Sequence, residues 1–289
     1  MNGILIVDKP QGWTSHDVVA KLRGICRERR IGHAGTLDPM ATGVLVVFLG
    51  RATRAVELFE NDDKEYEAVM RLGTVTNTQD MTGEILETNR VLVTVEDLQS
   101  VMKKHTGPQS QIPPMYSAVK IGGKKLYELA RKGQSVERKP RSITVFEMEL
   151  ISFQGTDAKI RVHCSKGTYI RTLCHDIGAD LGCGGCLASL RRTKSGRFSL
   201  TDCVTLEQLT RTSDGMTSLV RPVDSLFDDR PAIKLNDQWT FRCKNGGVIP
   251  VPERLDGQYR VYGTDGEFLM LGSVRNGTLK TIKSFFEVK

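Results

Sequence analysis

Two short apolar runs constrain the fold most. Gly3-Ile4-Leu5-Ile6-Val7 runs up to Asp8, and Gly43-Val44-Leu45-Val46-Val47-Phe48-Leu49-Gly50 follows some forty residues later. Neither has a polar face, so each predicts a strand buried on both sides. The longest apolar run, Val44 to Leu49, falls far short of the roughly 18 residues that cross a bilayer. Between the runs, Lys9-Pro10-Gln11-Gly12 reads as a turn. Thr14 or Ser15 then caps a helix whose Val18, Val19, Leu22, Ile25 and Cys26 share one face. Arg27, Arg29 and Arg30 at its end suit the helix dipole. Gly32 to Thr42 is expected to be a polar loop.

The rest of the chain mixes element types. Ala52–Phe59 reads as a short helix, Lys64–Leu72 alternates like a half-buried strand, and Val95–His105 has a helical pattern. Gly107–Ser117 carries three prolines and cannot be regular throughout. Lys124–Lys132 predicts a short basic helix with Leu126, Leu129 and Ala130 inward. Ile143–Phe153 and Ala158–Cys164 predict paired strands, and Thr168–Leu181 a helix with Ile170, Leu173, Cys174 and Ile177 on its apolar face. No regular βαβ rhythm appears, so the class is α+β. Pro222, Asp228-Asp229 and Pro231 mark a linker over Arg221–Pro231. Beyond it, turn signals at Gly246-Gly247, Asp256-Gly257, Asp265-Gly266 and Asn276-Gly277 space out a small β-rich domain. The expected division is 1–228 and 229–289.

Charge is unevenly placed. The chain has 41 Lys+Arg against 34 Asp+Glu, a net +7. Residues 101–141 hold ten basic residues against Glu128 and Glu137, and residues 21–30 and 189–197 each carry +4. The remainder is net −9, so three basic islands stand on an acidic background and point to a polyanion site. An apolar content of 39% excludes a largely disordered chain. No phosphate-loop or dinucleotide-binding glycine signature is present. The seven cysteines read as reduced thiols, and no targeting segment precedes the first strand, so a cytoplasmic location is expected. Cys183-x-x-Cys186 is half a zinc site without a second pair, so no metal is expected.

The loop after the first helix carries the candidate chemistry. In Gly32-His33-Ala34-Gly35-Thr36-Leu37-Asp38-Pro39-Met40-Ala41-Thr42-Gly43, glycines allow close backbone approach to a ligand, and Pro39 biases Asp38 toward an extended backbone. Asp38 is the only acid between Glu28 and Glu57 and lies among several arginines. A carboxylate among cations stays ionised and can act as nucleophile or base, though an Asp-Pro pair also suits a plain turn. Ser15-His16-Asp17 is no hydrolytic triad, because successive helical side chains diverge by about 100°.

That loop resembles the catalytic motif of the bacterial tRNA pseudouridine synthase B family. Other segments match in family order over roughly residues 3–197: Asp8-Lys9-Pro10-Gln11-Gly12-Trp13-Thr14-Ser15, Lys64-Glu65-Tyr66, Ile112 to Lys120 with Gly123 to Tyr127, Ser165 to Leu173, and Leu190-Arg191-Arg192. The resemblance implies a pseudouridine synthase fold, with a mixed, largely antiparallel sheet flanked by helices. It also implies an RNA-clamping insertion at about 106–141 and a small C-terminal β-barrel of the PUA type.

The implied activity is isomerisation of the uridine at position 55 in the tRNA T loop, without cofactor. Asp38 is the implied nucleophile, with attack at C1′, attack at C6 and a glycal route all open. Tyr66 would stack on the flipped base and serve as a general base, and Arg171 would pair with Asp38. His33 would enter the T loop, Tyr169 and Leu190 would line the uracil pocket, and Lys9 would pack behind the tyrosine. Tyr116, Lys120, Lys124, Lys125 and Arg131 would clamp the RNA, in a segment expected to be disordered until RNA binds. The implied partner is the T stem-loop of tRNA, with no membrane, no obligate protein partner and a monomeric state. A non-catalytic RNA binder would need the clamp but not Asp38, Tyr66 and Arg171 together.

Overall fold

The two apolar runs lie side by side. The computed structural model describes residues 1–59, 62–211 and 216–287. Its first elements are β1 (Gly3–Lys9), α1 (Ser15–Cys26), β2 (Ile31–Ala34) and β3 (Thr42–Leu49). β1 pairs antiparallel with β3 from Gly3↔Leu49 to Lys9↔Gly43, and β3 is buried from Gly43 onward. Thr14 caps α1 in a reciprocal capping box with Asp17, and Arg27 ends it in the left-handed region. The expected loop from Gly32 to Thr42 is shorter than predicted, because β2 pairs with β3 from Ile31↔Leu49 to Ala34↔Val46. Without β2, the second edge of that buried strand would leave backbone groups unpaired.

Next come a 3₁₀ turn over Gly50–Ala55, where the predicted helix begins, and α2 (Val56–Phe59). β4 (Lys64–Leu72) alternates buried and half-buried at every position, as read from its sequence. β5 (Thr74–Thr76) and β6 (Ile85–Thr88) form a hairpin, followed by α3 (Val95–Lys104) and β7 (Gly107–Gln111). β7 sits at the sheet edge, where Pro108 costs no ladder bond. β8 (Lys120–Ile121) and β9 (Lys124–Lys125) turn through Gly122 and Gly123, both at positive φ. That hairpin absorbs the start of the predicted basic helix, leaving α4 (Leu126–Ala130), in which Leu126 is buried. β10 (Arg141–Gln154) and β11 (Asp157–Cys164) pair as predicted, and α5 (Ile170–Asp180) buries Ile170, Leu173, Cys174 and Ile177. β12 (Gly185–Ser195) and β13 (Phe198–Ser199) complete the main sheet.

The strand order is β1-β3-β12-β4-β11-β10-β7, and only the β12–β3 contact on this path is parallel. α6 (Leu206–Arg211) and α7 (Met216–Leu219) follow. The predicted linker is part of the packing: Arg221 bridges Ile4, and a 3₁₀ turn over Val223–Phe227 buries Leu226 and Phe227. β14 (Ala232–Lys234), α8 (Asp237–Lys244), β15 (Ile249–Pro250), β16 (Gly257–Tyr262), β17 (Phe268–Arg275) and β18 (Thr278–Ser284) form the last unit. Its sheet runs β14-β16-β17-β18-β15 as an open half-barrel over its own core. Among the described residues, no helix is long and apolar enough to cross a membrane.

Candidate active site

The loop between β2 and β3 is pinned on both sides of Asp38. Ser15 Oγ accepts from Leu37 N at 2.9 Å, and Gly12 N donates to Pro39 O at 2.8 Å. The Ser15-His16-Asp17 trio is therefore structural, with Asp17 spent on the Thr14 cap. Lys9 is fully buried, and its Nζ donates to the carbonyls of Trp13 (2.5 Å), Pro10 (3.0 Å) and Pro39 (3.4 Å). Burial pushes its pKa down to about 8, partly offset by the Asp38 charge.

Arg192 ties both ends of the loop together, donating to Val44 O at 2.7 Å and Gly35 O at 2.9 Å. Such a cation, 1% exposed, is tolerable because carbonyls meet it. Gly43 permits the approach: it sits at φ +101°, and a Cβ there would lie 2.2 Å from the Arg192 carbonyl.

Arg171, near the start of α5, is 4% exposed and faces Asp38, with Nε to Oδ2 at 2.9 Å. Its Nη2 donates to Tyr116 O at 2.8 Å and its Nη1 to Thr78 O at 3.1 Å. Nη1 also lies 3.7 Å from Asp80 Oδ2. Asp80 is a second carboxylate that the sequence reading missed. It lies in the turn between β5 and β6, where Thr78 Oγ1, Thr82 Oγ1 and Thr82 N all donate to its Oδ1. A Thr-Asn-Thr-Gln-Asp run looks like any polar turn, so only the fold reveals it.

Burial pushes the Asp38 carboxyl above the usual aspartate range, and the Asp80 charge adds to this; Arg171 and Lys9 oppose it. The arginines near Asp38 in sequence are therefore not what sets its charge. Its side chain is nevertheless 39% exposed to the cleft, so a substrate can reach it.

The cleft above Asp38 encloses about 570 Å³, within the range of small-molecule sites. Tyr66, Tyr169, Leu190, Lys120 and Arg171 line it with Asp38. Tyr66 is buried on β4, and burial raises its phenol pKa, so it is neutral at physiological pH. Tyr169 is held by a two-way backbone bond with the buried Gln111 side chain, at 2.8 and 3.0 Å.

Other predicted residues lie off the cleft lining. His33 is on β2, with a buried Nδ1 that has no partner among the described residues. Tyr116 meets the site through its carbonyl. Lys125 and Arg131 both stack on the Tyr127 ring at 5.4 Å, and Lys124 lies on the exposed β8–β9 hairpin. Within 106–141, residues 120–130 fold as the β8–β9 hairpin and α4, and the Tyr116 carbonyl just before them accepts from Arg171. Cys183 Sγ contacts Gly184 O, and Cys186 Sγ lies 3.4 Å from Met81 Sδ.

Comparison with known proteins bears on this arrangement. Residues 23–170 match the family model of the TruB family pseudouridylate synthase N-terminal domain, and residues 171–228 match that of the tRNA pseudouridylate synthase B C-terminal domain. A tRNA pseudouridine synthase B of Stutzerimonas stutzeri (strain A1501) is 42% identical over 280 residues, covering 95% of this chain and 92% of that protein. One of Francisella philomiragia subsp. philomiragia is 42% identical over 290 residues, covering 99% and 95%. A solved chain of a Cbf5–Nop10–Gar1 complex superposes with TM-score 0.74 at 29% identity, covering 98% of this chain and 85% of that one. A chain of an H/ACA ribonucleoprotein bound to a substrate RNA containing 2′-deoxyuridine gives TM-score 0.73 at 26% identity, covering 99% and 85%. Matched by its fold and by relatives over nearly its whole length, the chain belongs to the TruB family of pseudouridylate synthases.

Proposed function

We propose that the protein isomerises a uridine of tRNA to pseudouridine, at position 55 in the T loop, by drawing the flipped base into the cleft over Asp38. The observation that carries this reading is the Asp38–Arg171 pair, 2.9 Å apart, at the floor of a cleft walled by Tyr66, Tyr169 and Leu190. The relatives' names supply the tRNA. Isomerisation breaks the C1′–N1 bond and forms C1′–C5; the proton lost at C5 is balanced by one gained at N1. The balance needs no electron acceptor and hence no cofactor.

Asp38 acts as the nucleophile in its ionised form. Arg171 opposes the burial that would protonate it. The neutral Tyr66 offers a stacking face in place of the stacking lost from the RNA, rather than a resting phenolate base. Tyr169 and Leu190 wall the base, and Lys9 holds the loop carbonyls. His33 fills the place that the flipped nucleotide leaves. Tyr116, Lys120, Lys124, Lys125 and Arg131 grip the RNA, with Lys125 and Arg131 leaving the Tyr127 ring for phosphate. The C-terminal half-barrel serves as a further RNA-binding module of the PUA type. The enzyme works as a cytoplasmic monomer.

The test is tritium release from tRNA labelled at C5 of uridine. The protein is expected to release tritium from wild-type tRNA and none from tRNA carrying cytidine at position 55. Equal release from both would reassign the position, and no release from either would overturn the activity.

A further inference from the structure

Three described non-glycine residues sit at positive φ: Arg27, Gln79 and Asn276. Two have local reasons. Arg27 caps α1, and Asn276 precedes Gly277 in the turn between β17 and β18. Gln79 has neither a cap nor a favoured residue type, since Asn, Asp and Gly are the usual occupants of that region. Its φ of +64° is held by contacts on two sides. Its carbonyl accepts from Leu187 N at 3.0 Å, on β12. Its side-chain Oε1 accepts from Thr172 Oγ1 at 2.8 Å, on α5, and Thr172 is 2% exposed.

The residues on either side of Gln79 both face the catalytic arginine. Thr78 presents its carbonyl and Asp80 its carboxylate to Arg171 Nη1. Arg171 is the residue before Thr172, so the Gln79–Thr172 bond joins the two pieces that must align. We propose that the Gln79–Thr172 pair positions Arg171 against Asp38, with neither residue touching the substrate. A strained backbone held by its surroundings beside an active site is where such a role is expected. This inference rests on the isomerase reading above.

The test compares Thr172→Val, Thr172→Ser and Gln79→Gly with the intact protein, after tritium release by the intact protein has been established. Valine keeps the shape and removes the hydroxyl. Glycine adopts φ +64° freely and removes only the side chain, so it folds even if valine does not. Thr172→Val and Gln79→Gly are each expected to lower kcat by about tenfold, with KM for tRNA little changed. Thr172→Ser, which retains the donor, is expected to restore most of the rate.

The groups facing Asp38 are Arg171 from α5, Asp80 from the β5–β6 turn, Lys9 at the end of β1 and Tyr66 from β4. A looser Arg171 opposes protonation less, so the acid limb of kcat is expected to move to higher pH in the two damaging variants. Wild-type kcat and an unmoved acid limb in Gln79→Gly would overturn the proposal, as would a serine variant no better than valine. Failure of the intact protein itself to release tritium would instead count against the isomerase reading.

Discussion

At Asp38 two effects compete, and burial wins. The low-dielectric floor of the cleft and the neighbouring Asp80 disfavour the carboxylate, while Arg171 and Lys9 favour it. Its carboxyl therefore titrates above the 3.8 of an unperturbed aspartate. In the proposed reaction the deprotonated form is the nucleophile, so the rate is expected above this raised pKa and is lost as pH falls through it. Single-turnover rates against pH should show an acid limb above the ordinary carboxylate range; a rate flat down into that range would contradict the account. Asp38 was legible as a candidate because it is a lone acid in a Gly-rich loop whose motif resembles the family's. Its partners were less legible. Arg171 alone looks like a surface residue of a helix, and its 4% exposure follows from β-sheet and turn packing around α5. Asp80 lies in a turn whose composition resembles any other, and it matters because the fold brings that turn against α5.

Among the elements, β12 carries the most consequence and was the least legible. Arg191, Arg192 and Lys194 break its apolar pattern, so the segment reads as a basic island rather than as a central strand. In the fold, Arg192 turns inward to two carbonyls and Arg191 pairs with Asp8 at 2.7 Å. The strand then meets β3 in parallel at Thr42 and Gly43. β4 was fully legible, because one face packs on the core and the other is half open. β2 was hidden because four residues, two of them Gly32 and His33, are too few to set a period. The β3–β12 junction gives a sharp expectation. Gly43→Ala places a Cβ 2.2 Å from backbone at a φ of +101°, so the backbone itself must shift. A loss of roughly 3 kcal/mol or more in urea unfolding is expected, with activity lost as the Asp38 loop is displaced. Unchanged stability would mean that the β12 backbone does not abut Gly43.

Across the whole molecule, a shared apolar core joins the two sheets, and the basic islands mark where a polyanion would meet them. Phe227, from the segment read as a linker, lies 6.1 Å from Phe268 and 6.2 Å from Phe285 by ring centroids. The half-barrel is thus joined to the catalytic sheet through apolar packing rather than by a bare tether. The basic island at residues 101–141 crosses the insertion that faces the cleft, which is where a polyanion would enter. Neutralising Lys124 and Lys125 together should weaken tRNA binding and flatten the log–log salt slope by up to about two, since each phosphate contact contributes roughly 0.7 to 0.9. An unchanged slope would remove both lysines from the phosphate contacts. The proposed division, with one carboxylate at the cleft floor for the chemistry and the basic surface for the binding, is tested by Asp38→Ala. Tritium release from C5-labelled tRNA and tRNA affinity would be measured on the same preparation. Release is expected to be abolished and affinity kept; release at the intact protein's rate would rule out Asp38 as the reacting group.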